Sequence, residues 1–232
     1  MSLNERNRGP LGINLRSKLK TMKQLGLTIH KAISRTLRPT ITLALLFTCA
    51  LAFSQVSQTF TSNGTFTVPA GVTQVTVECW GGGGQGSTRS TNGRGGGGGG
   101  GAYARSVLTV SPGNYTVTVG SGSNSTSPGG DSWFSTSTTI LAKGGNSAPN
   151  NSTNGATGGS AAASIGTIKF AGGDGADAPG SSGGGGGSSA GTATDGVDAT
   201  NVNGANAPTG GGDGGNGRNG NGTGFNGSAP GG

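Results

Sequence analysis

The chain has 232 residues and a formal net charge of +7, yet only 10% of it is charged and 29% is apolar, while 53 residues are glycine. So little charge excludes a charge-driven disordered tail, and so little apolar material limits how much of the chain can bury a conventional core. The charge is also uneven. Residues 1–54 hold nine basic residues against Glu5, whereas residues 55–232 hold six against seven acids. Counted along the chain, the body carries no basic patch, and no nucleic-acid partner is expected.

Ile41–Phe53 is an uncharged apolar run of 13 residues preceded by Arg35 and Arg38. Ala52 and Ser54 then place small side chains at the −3 and −1 positions of a cut before Gln55. A positive flank, a short apolar core and a small-x-small exit read as a signal peptide. A spanning helix needs about 20 apolar residues. Anchoring by 41–54 is therefore the alternative, and an uncleaved leader the sole expected tie to a membrane. The basic region is long for a leader, and a start at Met22 would leave one of ordinary length. The expectation is a leader over 1–54 and a secreted or cell-surface body.

The body divides at 55–143 and 144–232. The first part holds 20 large apolar or aromatic residues, the second six: Ile165, Ile168, Phe170, Val197, Val202 and Phe225. In the first part, period-2 alternation predicts strands over Thr65–Val68 and Gln74–Trp80, with Val75, Val77 and Cys79 on one face and Trp80 on the other. A turn at Pro69-Ala70-Gly71 separates them. Another strand lies within Ala102–Val110. Ser111-Pro112-Gly113-Asn114 is a turn, because proline presets φ and glycine and asparagine tolerate positive φ. Tyr115–Val119 follows, with Val117 on its apolar face, and short strands are expected at Trp133–Phe134 and Ile140–Leu141. The prediction is all-β, a small antiparallel sandwich in which Trp80 and Val117 are structural residues.

In 144–232, six large side chains cannot offset the cost of ordering a glycine-rich backbone. A flexible Gly/Ser/Asn tail is one reading. The other is packing by backbone alone, in extended three-fold helices that approach closely where glycine recurs. Gly211, Gly214, Gly217 and Gly220 stand at every third position. The expectation is a polyglycine-II-like second part in which Gly214 and Gly217 face neighbours while Asp213 and Asn216 point outward.

Candidate chemistry is sparse. The one histidine, His30, lies in the leader. The body thus has no histidine for a nucleophile pair or a metal site. Cys79 is its one cysteine, and Glu78 its one glutamate. Gly172-Gly173-Asp174-Gly175-Ala176-Asp177 matches the start of a calcium-binding β-roll repeat, but no tandem copy follows. The expectation is no catalysis, no metal and no cofactor.

The series Phe66-Thr67-Val68-Pro69-Ala70-Gly71, Val75-Thr76-Val77-Glu78-Cys79-Trp80 with Gly81–Gly84, Gly95–Gly101 with Ala102-Tyr103-Ala104, and Gly129-Gly130-Asp131-Ser132-Trp133-Phe134 resembles the glycine-rich domain of bacterial exported proteins and phage tail-tip adhesins. It is similar in outline to the glycine-rich region of the anaplastic lymphoma kinase receptor. The resemblance implies a β-sandwich carrying polyglycine-type helices, with binding or adhesion carried by variable loops. The leading expectation is an exported adhesion module whose partner is a cell-surface glycan or protein. The alternatives are a passive matrix or spacer and, with no regular Thr or Ala ladder behind it, an ice-binding protein. The final residues, Ser228–Gly232, carry no closing strand or anchor, a pattern expected of one module of a longer protein or an incomplete reading frame.

Overall fold

The computed structural model describes residues 56–90, 93–178, 180–219 and 224–232. The expected leader and its cut at Ala52, Ser54 and Gln55 lie outside the described residues. Residues 59–232 form one compact unit.

Seven strands follow in chain order: β1 (Gly64–Val68), β2 (Gln74–Trp80), β3 (Tyr103–Thr109), β4 (Gly113–Thr118), β5 (Ser132–Phe134), β6 (Leu141–Ala142) and β7 (Ile168–Phe170). They form two antiparallel sheets, β1-β4-β5-β6 and β2-β3-β7. The all-β reading and the strand positions of the first part are thus found, with end shifts of one or two residues. β4 begins at Gly113, inside the expected turn, because Gly113 and Asn114 pair with Val68 and Thr67 of β1. Gly113 has φ +147° there, and Gly71, in the turn before β2, has φ +86°.

Alternation decides which side chains meet between the sheets. Cys79, Ala104, Phe134, Ile140 and Ala142 form the buried core, with Phe66, Val77, Leu108, Tyr115 and Val117 packed against it. Phe134 is its centre: its ring stacks on Tyr115 at 5.2 Å and meets Phe66 edge-on at 6.1 Å. Such pairs add to the burial of aromatic area. Val117 is thus on the expected face, half-buried against this cluster.

β7 was not foreseen, since Ile168-Lys169-Phe170 lies in the stretch with few large side chains. It pairs with β3, setting Phe170 opposite Tyr103. On the outer face of this sheet Trp80, Tyr103 and Phe170 build a second aromatic row, with ring centroids 4.9 and 6.1 Å apart. Tyr103 is fully buried on that face, between Trp80 and Phe170. The indole Nε1 of Trp80 donates to the Ala190 carbonyl at 3.0 Å. Trp80 therefore joins the sheet to the rest of the unit instead of filling the space between sheets.

Candidate functional site

Beyond the sheets, the unit is organised around Gly95–Gly101, seven consecutive glycines. Their backbone bonds outward in steps of three. Gly96 and Gly99 donate to Ser152 and Asn146; Gly97 and Gly100 donate to Ala176 and Gly173. Their carbonyls receive in the same steps: Gly184, Gly187 and Ala190 donate to Gly95, Gly98 and Gly101.

The interior positions leave no room for a side chain. A Cβ on Gly98 would lie 2.1 Å from the Gly84 carbonyl oxygen, on Gly99 2.1 Å from that of Thr157, and on Gly100 1.9 Å from that of Ser188. Three successive residues thus face three different neighbours, so every position of the central run must be glycine. The same holds at the two glycines singled out from the sequence. A Cβ on Gly214 would lie 2.0 Å from the Gly186 oxygen, and one on Gly217 2.4 Å from the Gly183 oxygen.

The acids have a backbone role that sequence reasoning missed. Asp174 and Asp177 accept the amides of Gly158 and Gly155. Asp195 and Asp198 accept those of Ala171 and Asp174. Asp213 and Asn216 accept those of Ala207 and Gly204. The side chains of Asp213 and Asn216 are exposed, as expected, but they are not idle, since each satisfies an amide of the adjacent segment. The signal was present: Asp or Asn recurs at three-residue spacing at 174/177, 195/198 and 213/216. This also gives the aspartates of Gly172–Asp177 a physical reason other than calcium.

Among the described residues no group of three potential ligands could hold a metal ion. Cys79 is buried, and burial pushes its thiol from an ordinary 9.0 up to about 12, with the Glu78 charge adding to the shift. Burial, then the hydrogen bond to Glu78, raises the Tyr103 phenol as well. Neither group is a nucleophile at neutral pH.

Both shifts favour the protonated folded state, so the stability they confer is complete below about pH 9 and is lost as pH rises toward the folded values. Where both groups ionise only on unfolding, from about pH 10 to 12, stability should fall by about 2.7 kcal/mol per pH unit on their account. Cys79→Ala should halve that slope. Denaturant titrations between pH 9 and 12 check this, and an unchanged slope would show that the thiol does not titrate with folding.

Several remote segments meet around the start of the Gly95–Gly101 run. Asn151 donates to Thr88, Gly96 to Ser152, Ala178 to Thr153, Gly184 to Gly95 and Gly183 to Arg218. Arg89, Arg94 and Arg218 all lie here. Three of the body's six cations thus belong to segments that meet near the start of the glycine run.

No curated protein matches the chain. A family model described as a glycine-rich domain matches residues 59–232. That stretch holds all seven strands and the hydrogen-bonded glycine segments, and the chain belongs to this glycine-rich domain family.

Proposed function

We propose that the protein is an exported, non-catalytic adhesion module, of the kind found on bacterial surfaces and phage tail tips, in which polyglycine-II helices present binding loops. The observation that carries this reading is the convergence of Thr88, Asn151–Thr153, Ala178 and Arg218 at one end of a backbone lattice. Where packing is made by main chain, the end loops are free to vary without loss of the interior, and variable loops on a rigid scaffold are where recognition concentrates. The three-residue step of the backbone bonds around Gly95–Gly101 supports the polyglycine-II geometry, which has three residues per turn. The same network, running to Gly232, favours a lattice over a passive spacer.

The export reading rests on Ile41–Phe53 and the small residues Ala52 and Ser54. Expressed in a secreting host, the chain should appear outside the cell with Gln55 as its first residue, by N-terminal sequencing. That material should bind intact cells or their isolated surface glycans and proteins. Uncleaved chain held in membranes would make 41–54 an anchor, and mature chain that binds no surface would overturn the adhesion reading.

A further inference from the structure

We propose that the end of the lattice bearing Arg89, Arg94 and Arg218 binds an anionic polysaccharide, through carboxylate, sulfate or phosphate groups on its sugars. This rests on the adhesion reading and names the class of partner.

Backbone bonds place the segments bearing the three arginines beside one another. Arg89 Nη1 donates to the Asn151 carbonyl at 2.6 Å, and the Arg89 guanidinium lies over Gly93, where an added Cβ would sit 2.5 Å from Nη2. Arg94 directly precedes the central glycines. The Gly95 carbonyl accepts from Gly184, while the adjoining Gly183 donates to the Arg218 carbonyl at 2.9 Å.

Their charge is not neutralised in place. The ion pairs among the described residues are Arg105 with Glu78 and Lys143 with Asp131, and both involve residues at the sheets. Nε of Arg89 and Nε of Arg94 are shielded from solvent and have no acceptor among the described residues. Asp177, whose Oδ1 accepts the Gly155 amide, forms no ion pair with them. With no acid paired to them, these guanidinium groups keep their charge, and an oxyanion is a group whose geometry a guanidinium matches in two bonds.

The surroundings favour a sugar polymer over a nucleic acid. Thr88, Ser90 and Asn151 are exposed; Ser90 Oγ donates to Asn151 Oδ1, and the Thr88 hydroxyl and the Asn151 amide nitrogen are groups suited to sugar hydroxyls. One aromatic stands near: Phe225 is 65% exposed and its amide donates to Asn216, two residues from Arg218. That offers a flat apolar face for one sugar ring, not the series of stacking platforms a single strand uses. Three cations confined to one end also do not make the stripe that tracks a phosphate backbone.

The test uses the mature chain beginning at Gln55, so that the leader's nine cations contribute nothing to binding. Binding is measured to dextran sulfate, to uncharged dextran, to an oligothymidylate and to intact cells. The expected result is binding to dextran sulfate and not to dextran, with a weaker grip on the oligothymidylate. R89Q/R94Q/R218Q should weaken dextran sulfate binding roughly tenfold or more. R218Q changes an exposed side chain and should weaken binding with an unchanged melting temperature, so it decides the matter if the triple variant does not fold. Unchanged affinity in R218Q and in a folded triple variant overturns the proposal, as does equal binding to dextran or tighter binding to the oligothymidylate. Cells bound equally by wild type and triple variant would sink the anionic site while leaving adhesion standing. Wild-type chain that binds no cells would instead remove the adhesion reading beneath it.

Discussion

Gly100→Ala should lower the melting temperature by about 10 °C, the equivalent of about 3 kcal/mol in a unit of this size. The new methyl carbon would lie 1.9 Å from the Ser188 carbonyl oxygen and 2.3 Å from its carbon. These are backbone atoms, so no side chain can rotate away. The segment bearing Ser188 would have to retreat by well over an ångström, and its carbonyl would then lose the Gly173 amide it accepts at 2.9 Å. Overpacking costs typically about 1–3 kcal/mol, and each buried backbone group left unpaired adds about 1–3 kcal/mol.

Gly214→Val and Gly217→Val should act the same way, through the Gly186 and Gly183 oxygens, and should open residues 144–232 to proteases. Gly122→Ala is the proper control, since the nearest atom to its Cβ is the Gly83 oxygen at 3.8 Å. Asp213→Ala and Asn216→Ala are not neutral controls. Each strands an amide and should cost about 1 kcal/mol. If Gly100→Ala melts with wild type, or if the wild-type second part is cut rapidly, packing by backbone is wrong.

Trp80→Ala should cost about 3 kcal/mol, because a truncated aromatic loses both its buried area and its ring contacts. The indole sits 4.9 Å from the Tyr103 ring and donates to Ala190. Its removal uncovers the row of Tyr103 and Phe170 and leaves the Ala190 carbonyl with only a long contact, 3.5 Å, from the Ser189 hydroxyl. Trp80→Phe keeps a ring but loses the donor and part of the ring area, so about 1–2 kcal/mol is expected. Val117→Ala, at the half-buried edge of the inter-sheet core, should cost about 1 kcal/mol. Chemical denaturation of the three variants separates the contributions. Equal stability of Trp80→Ala and wild type would show that the two parts are not joined through the indole.

The sequence by itself determined the local elements. Alternation in Gln74–Trp80 settled the limits of β2 and divided Val75, Val77 and Cys79 from Trp80, because a strand's period is a property of the chain alone; only the second sheet decided that Val77 and Cys79 point inward. Glycine at every third position from 211 to 217 likewise announced close approach, because a repeated missing Cβ marks where a neighbour comes near. What the tertiary structure decided was who the neighbours are. Ile168-Lys169-Phe170 has too little length to declare itself, and it became a strand only because β3 offered it a partner. Asp213 and Asn216 looked like free surface residues until adjacent segments supplied amides at Ala207 and Gly204. Arg89, Arg94 and Arg218 made no patch along the chain, since charge counted in sequence says nothing of distance. The lattice set their segments beside one another because backbone hydrogen bonds between remote glycines set which loops meet, and those bonds leave no mark on composition.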